Sequence, residues 1–369
     1  MNVRNLEKIY HAATKNVQKA YIKDAEVNQK IVSVCQCDRN KAPIRYLLSA
    51  MLAKIDDETI DTRQPYPNLG NHSFAGRSID ETIIQPLIHK YQLPCNDTTA
   101  FLTPAFRTIE SALTKSAFDK CRPAYVYYDM IDILDYVEEH PQEAQNVLKR
   151  ILAVLTSIKM TRENRVSQLV DELSRGEKQE LASEEITTLL QQHLQCKGSS
   201  RLPVLMITAA YLAVQHLTGE TTKPLLAHNA ADRQTGAIGD VEIILQNENG
   251  TITCYEMKKK QVTTDDIYVC AEKILGLEKK PDNYIVITTE AISKDVKDLA
   301  YTFYSKIGVE IAVLDCIGFI NHFLHFFHRY RTSFLDNYQQ LVLKEPNSSV
   351  SQPLKEAFLS LRQVAESEA

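Results

Sequence analysis

Between Gly239 and Lys258 the chain alternates charge and hydrocarbon in a way that few folds can absorb. The text runs Gly239-Asp240-Val241-Glu242-Ile243-Ile244-Leu245-Gln246, then a polar Asn247-Glu248-Asn249-Gly250, then Thr251-Ile252-Thr253-Cys254-Tyr255-Glu256-Met257-Lys258. Alternation with a period of two on either side of an Asn-Gly turn signal predicts a β-hairpin. Its register decides which side chains share a face, because a slip of one residue turns every side chain over. A two-residue Asn249-Gly250 turn would set Ile243 opposite Glu256 and put Asp240 on the face away from Glu256 and Lys258. A three-residue Glu248-Asn249-Gly250 loop with a glycine bulge sets Glu242 opposite Glu256 and Asp240 opposite Lys258. The second register gathers all four charges on one face and leaves Val241, Ile243, Leu245, Tyr255 and Met257 for a core, the pattern of a strand pair with one packed face. We therefore expect the bulged register.

Two carboxylates and a lysine collected in this way form a hard-metal site beside a cation, which is the equipment for attacking a phosphodiester with water. A lone Asp followed by Glu-x-Lys also matches many solvated strand faces, so the surroundings matter. Thr264 caps a predicted helix over Asp265–Leu277, Tyr284–Thr288 reads as a buried strand, Ser293 opens a helix to about Lys306, and Val309–Leu314 reads as a further strand. Strand, helix, strand, helix, strand predicts parallel pairing after the hairpin. The fold class is thus mixed α+β, with a mixed sheet flanked by helices and a mainly helical N-terminal region. No GxSxG elbow, Walker loop, HExxH or GxGxxG competes with this chemistry.

The first two hundred residues read mainly as helices. Asn5–Glu26 and Lys41–Ile55 have helical spacing, and Ser78-Ile79-Asp80-Glu81 reads as a capping box opening a helix to Tyr91. Arg122–Tyr128 reads as an aromatic extended segment, and helical text runs from Ile131 to about Leu173. Gly198-Ser199-Ser200 is the best boundary, followed by an apolar helix over Pro203–Leu217, and Lys223–Asn229 reads as a short strand. The expected division is 1–200 for a helical region serving recognition or dimerisation, 201–335 for the core, and 336–369 for a helical tail. His322, His325 and His328 fan round too much of one helix to share a metal.

Composition narrows the classes further. With 369 residues, 44% of them apolar, the chain can bury a large core. Its N-terminus lacks a signal-peptide core, and its longest apolar run, Pro203–Val214, is too short to span a bilayer, so we expect a cytoplasmic protein with no membrane partner. The eight cysteines form no CxxC pair and are expected as free buried thiols. A net charge of −5 argues against indiscriminate nucleic-acid coating, yet residues 1–54 carry ten Lys/Arg against four Asp/Glu. A basic sector on an acidic body suits DNA binding in one orientation.

Gly239-Asp240 and Glu256-Met257-Lys258 resemble the signature of the PD-(D/E)xK nuclease superfamily, with Gly239 standing where the family has proline. The likeness extends to the SacI-type type II restriction endonucleases through Ala42-Pro43-Ile44-Arg45 and the segment containing Ser73, Phe74, Arg77 and Ser78. This resemblance implies a restriction-endonuclease-like core and a Mg²⁺-dependent enzyme that cuts double-stranded DNA at a short palindrome. It further implies a homodimer and functional pairing with a DNA methyltransferase. Asp240, Glu256 and the Met257 carbonyl would hold Mg²⁺, Lys258 would position or help deprotonate the attacking water, and Glu242 is either a supporting ligand or the partner of Lys258 in a surface salt bridge. Arg63, Asn68, Asn71 and Arg77 in the loop at 61–77 are the expected DNA contacts, with His228, Asn229, Asp232 and Arg233 before the hairpin and Lys259 and Lys260 after it. The rival expectations are a structure-specific repair or recombination nuclease and an inactive nuclease-fold DNA-binding module.

Overall fold

The computed structural model describes residues 3–19, 21–96, 98–175, 180–225, 237–246 and 250–368. Its chain divides into two units, Met1–Arg165 and Val166–Ala369. The helices preceding residue 200 that follow Arg165, and the C-terminal helix, pack in the second unit with the sheet.

The first unit is helical: α1 (Val3–Thr14), α2 (Ala25–Gln36), α3 (Ala42–Asp56), α4 (Gly76–Ile79), a π turn (Asp80–Ile84), α5 (Gln85–Tyr91), α6 (Tyr125–Glu139) and the start of α7 (Ala144–Arg175). The single helix expected over Asn5–Glu26 stops at Thr14, because Asp24 caps a new helix by accepting hydrogen bonds from the amides of Glu26 and Val27. Ser78 is not a cap. The helix already begins at Gly76, and the Glu81 carboxylate that would complete the box is taken by Arg77 at 2.8 Å. The segment expected to be extended, Arg122–Tyr128, enters α6 at Tyr125, where Val126, Tyr127, Met130, Ile131 and Leu134 make one buried helical stripe. Burial at helical spacing outweighs the strand preference of aromatic side chains.

Every residue of α3 from Ala42 to Lys54 is buried, so its two charged side chains need internal partners. Lys54 reaches the Ile60 carbonyl and Glu138, at 2.5 and 2.9 Å. Arg45 Nε lies 2.9 Å from Asp80 Oδ1, with both side chains fully buried, and Arg45 Nη1 donates to the Asn96 carbonyl at 2.7 Å. Thr99 Oγ1 and the Ala100 amide satisfy the other Asp80 oxygen. Burial pushes the Asp80 carboxyl up despite these partners. The Ala-Pro-x-Arg segment and the stretch around Phe74–Asp80 are thus joined inside the core, where Phe74 packs edge-on against Tyr46.

The second unit contains α8 (Ser183–Gln195), α9 (Leu202–Thr218), β1 (Glu220–Thr222), β2 (Val241–Leu245), β3 (Thr251–Lys258), α10 (Thr264–Leu275), β4 (Asn283–Thr288), α11 (Lys294–Ile307), β5 (Glu310–Asp315), α12 (Cys316–Phe326), α13 (Arg331–Lys344) and α14 (Gln352–Glu368). The sheet order is β1-β2-β3-β4-β5. β1, β2 and β3 pair antiparallel, and β3, β4 and β5 pair parallel. The strand expected over Lys223–Asn229 lies earlier, at Glu220–Thr222, and residues 226–236 fall outside the described residues. One sheet face, with Val241, Ile243, Tyr255, Ile285 and Ile287, packs in a core with α9, α12, α13 and α14. The other, with Cys254, Tyr284, Val286 and Ile311, packs against α10 and α11. Among the described residues, no helix is long and apolar enough to cross a membrane.

His193 on α8 is fully buried. Its Nε2 faces the Leu354 carbonyl at 3.0 Å and its Nδ1 the Tyr338 hydroxyl at 2.9 Å. Since a carbonyl only accepts, Nε2 carries the proton and Nδ1 accepts from Tyr338. Burial lowers this imidazole from 6.5 to about 4.

Two outcomes follow from these buried polar groups. The unfolded chain takes up the His193 proton first as pH falls, so the stability is fully present above pH 6.5 and is lost toward pH 4. At the cost per pKa unit this loss is about 3 kcal/mol. Urea denaturation of the wild type and of His193→Gln at pH 7 and pH 4.5 should show a smaller acid loss in the variant, and equal losses would refute the assignment. Asp80→Asn, which strands the Arg45 charge, should cost about 3–5 kcal/mol, and adding Arg45→Met should recover much of it. Circular dichroism can follow both, and strictly additive effects would exclude the pairing.

Candidate active site

The hairpin forms two residues away from the expected register. Val241 pairs with Tyr255, Glu242 with Cys254 and Ile243 with Thr253, after which Ile244 pairs with Thr251 and Ile252 is left as the bulged residue. Glu242 therefore does not oppose Glu256. Of the expected Glu248-Asn249-Gly250 loop, Glu248 and Asn249 lie outside the described residues. A shift of two preserves the faces, so Val241, Ile243, Tyr255 and Met257 still pack together, while Glu242, Cys254 and Glu256 share the opposite side.

Asp240 departs from that alternation. The chain bends over Ile238–Asp240 before β2 begins, and Gly239 lies so close to β3 that a Cβ there would sit 2.4 Å from Cys254 Sγ and 2.7 Å from the Tyr255 carbonyl oxygen. Only glycine fits this approach. The Asp240 amide donates to the Tyr255 carbonyl at 2.8 Å, and its Oδ2 accepts from the Met257 amide at 2.7 Å. Its side chain lines a cavity of about 270 Å³ with Met257, Lys258, Lys259, Ile287, Thr289 and Glu290, closed on the α9 side by Ser199, Ser200, Pro203 and Val204.

Glu256 looks toward α10 instead. Its Oε1 lies 3.3 Å from Lys258 Nζ, and its Oε2 lies 3.6 Å from Lys273 Nζ and accepts from the Tyr284 hydroxyl at 3.3 Å. Asp240 lines the cavity, Glu256 pairs with Lys258 and Lys273, and Lys258 at the strand end belongs to both sets of contacts. Burial alone would lower the Lys258 ammonium, but the Glu256 charge and its hydrogen bond hold it above its ordinary value. Lys258 is consequently a cation at neutral pH.

Glu242 has its own work. It accepts from Lys223 Nζ and Thr251 Oγ1, both at 2.6 Å, and from the Ile238 amide at 2.8 Å. Burial would raise its carboxyl, and these donors hold it below the usual range. It ties β1, the bulge and the Gly239 turn together, a role closer to the expected salt bridge than to a ligand, although its partner is Lys223.

The expected DNA contacts are differently occupied. Arg63 is held by Asp61 at 2.9 Å and Asp135 at 3.1 Å, and Arg77 by Glu81. Asn68 and Asn71 are exposed. Backbone hydrogen bonds from Asp61 to His72, Phe74 to Gln64 and Gly76 to Pro65 make their loop a built structure. Lys259 lines the cavity and Lys260 lies 3.6 Å from Asp266. His228, Asn229, Asp232 and Arg233 lie outside the described residues.

Sequence reasoning passed over Lys273, Tyr284, Thr289 and Glu290. Lys273 and Asp266 are legible in retrospect as charges at both ends of the inner α10 stripe of Ile267, Cys270 and Ile274. Glu290 follows the carboxyl end of a buried parallel strand, where open α/β sheets place their ligands.

The oxygen-rich donor set of Asp240, Glu256, Glu290 and the Met257 carbonyl suits a hard divalent cation. Among the described residues no three His, Cys, Asp or Glu side chains already converge. No protein-family model matches the chain, and no curated protein matches it.

Gly239→Ala should cost about 1–3 kcal/mol of stability through overpacking against Cys254 and Tyr255. Thermal denaturation checks this, and an unchanged midpoint would refute the close approach.

Proposed function

We propose that this chain is a Mg²⁺-dependent endonuclease of the type II restriction class, with a restriction-endonuclease-like core, cutting double-stranded DNA at a short palindromic site. The observation that carries the reading is the meeting of Asp240 and Lys258 on one cavity at the end of a mixed sheet, with Lys258 Nζ 3.3 Å from the Glu256 carboxylate. The surrounding order supports it: a Gly-Asp bend, Glu-x-Lys ending the next strand, a helix capped by Thr263, and then a buried parallel strand. A two-fold DNA site is most simply read by a homodimer, and such an enzyme needs a methyltransferase partner to protect host DNA.

Asp240 and Glu256, with the Met257 carbonyl, would hold the cation. Bound there, Mg²⁺ supplies Lewis acidity at the scissile phosphate and an acidified water. Lys258, kept protonated by Glu256, is suited to orient that water and to offset charge growing on the phosphorane rather than to remove a proton. Lys259 on the cavity rim can engage the DNA backbone.

A second reading, an inactive nuclease-fold binding module, draws on the engagement of Glu256 by Lys258, Lys273 and Tyr284. A structure-specific nuclease would instead prefer branched DNA over linear duplex.

Phage DNA incubated with the chain and Mg²⁺ should give a discrete fragment ladder. Asp240→Ala, Glu256→Ala and Lys258→Ala should each lower cutting by about a hundredfold or more, with DNA binding retained in Ca²⁺. A smear, no cutting by the wild type, or undiminished cutting by any of the three would reject the reading or its site.

A further inference from the structure

Glu256 meets more cationic charge than a metal ligand needs. Lys258 approaches one carboxylate oxygen at 3.3 Å and Lys273 the other at 3.6 Å, where the Tyr284 hydroxyl also donates at 3.3 Å. The two lysines differ in their surroundings. Lys258 lines the cavity with Asp240 and lies 4.0 Å from Asp266, whereas Lys273 stands in the last turn of α10, away from the cavity lining. The Glu256 and Lys273 side chains are only 18% and 25% exposed, so solvent screens their interaction less than that of a surface pair.

We propose that Lys273 is a positioning residue that sets the affinity of Glu256 for its divalent cation. Without metal, its ammonium compensates the carboxylate and, with Tyr284, fixes where Oε2 points. An arriving cation must then share that oxygen with a like charge, and the opposition weakens its binding. The inference rests on the reading of Glu256 as a metal ligand. It predicts a change opposite in sign to damage: removing Lys273 tightens metal binding, whereas a merely structural lysine would leave it unchanged or weaken it on removal.

The test is Mn²⁺ binding to the full chain, followed by electron paramagnetic resonance, for the wild type, Lys273→Met, Lys273→Gln and Lys273→Arg. Loss of one unit charge at this distance should tighten Mn²⁺ by about three- to tenfold in the Met and Gln variants. Arg should stay near the wild type. The Mg²⁺ concentration for half-maximal cleavage should fall in parallel. Because Gln retains a polar head group, it keeps the comparison decisive if Met perturbs folding. Unchanged or weaker Mn²⁺ binding in both neutral variants overturns the proposal. A wild type that binds Mn²⁺ but cuts no DNA would instead overturn the nuclease reading and leave the Mn²⁺ comparison to decide the role of Lys273.

Discussion

The second unit depends on β3 having both its edges and both its faces used. β2 pairs with it antiparallel on one side and β4 parallel on the other, and separate helical cores cover its two faces. A strand so enclosed has to be apolar along its middle and can carry charge only at an end, where water reaches. Cys254 and Tyr255 fill the middle, and Glu256 and Lys258 stand at the carboxyl end. The chemistry is therefore confined to one end of the sheet by the same burial that holds the sheet together. Gly239 completes the arrangement by letting the chain pass flush against β3 and deliver Asp240 there.

Charge at this end is compensated nearly group by group. Asp240 receives a backbone amide, Glu242 two side-chain donors and an amide, and Glu256 two ammonium groups and a phenol. For Glu242 these donors outweigh burial and hold the carboxyl below its usual range. These donors aim the carboxylates, and Glu256 in turn holds the Lys258 ammonium above its ordinary value.

The first unit applies the same rule in a drier setting. Arg45, Asp80 and Lys54 are tolerated in a fully buried helix environment because each meets partners supplied by other segments of the unit. The segments Ala42–Arg45 and Ser73–Ser78 thus include residues that build this interior, with Arg77 left at the surface.

Strand and helix order after Gly239 was legible because hydrophobic period and capping residues are local: β4, β5, α10 and α11 lie within a residue or two of their expected bounds, with Thr263 in place of Thr264 as the cap of α10. Which charged side chains the hairpin carries was legible for the same reason, but not their partners: Glu242 is buried against Lys223 and Thr251. The register was not, because turn statistics cannot see a bulge at Ile252 whose benefit is a Thr251–Glu242 hydrogen bond. Nor could local text reveal that Glu256 meets Tyr284 from β4 and Lys273 from α10. Sequence alone fixed which groups are available, through period and composition. Tertiary packing decided which of them meet, because partners distant in the chain are chosen by burial and hydrogen-bond satisfaction across the whole unit.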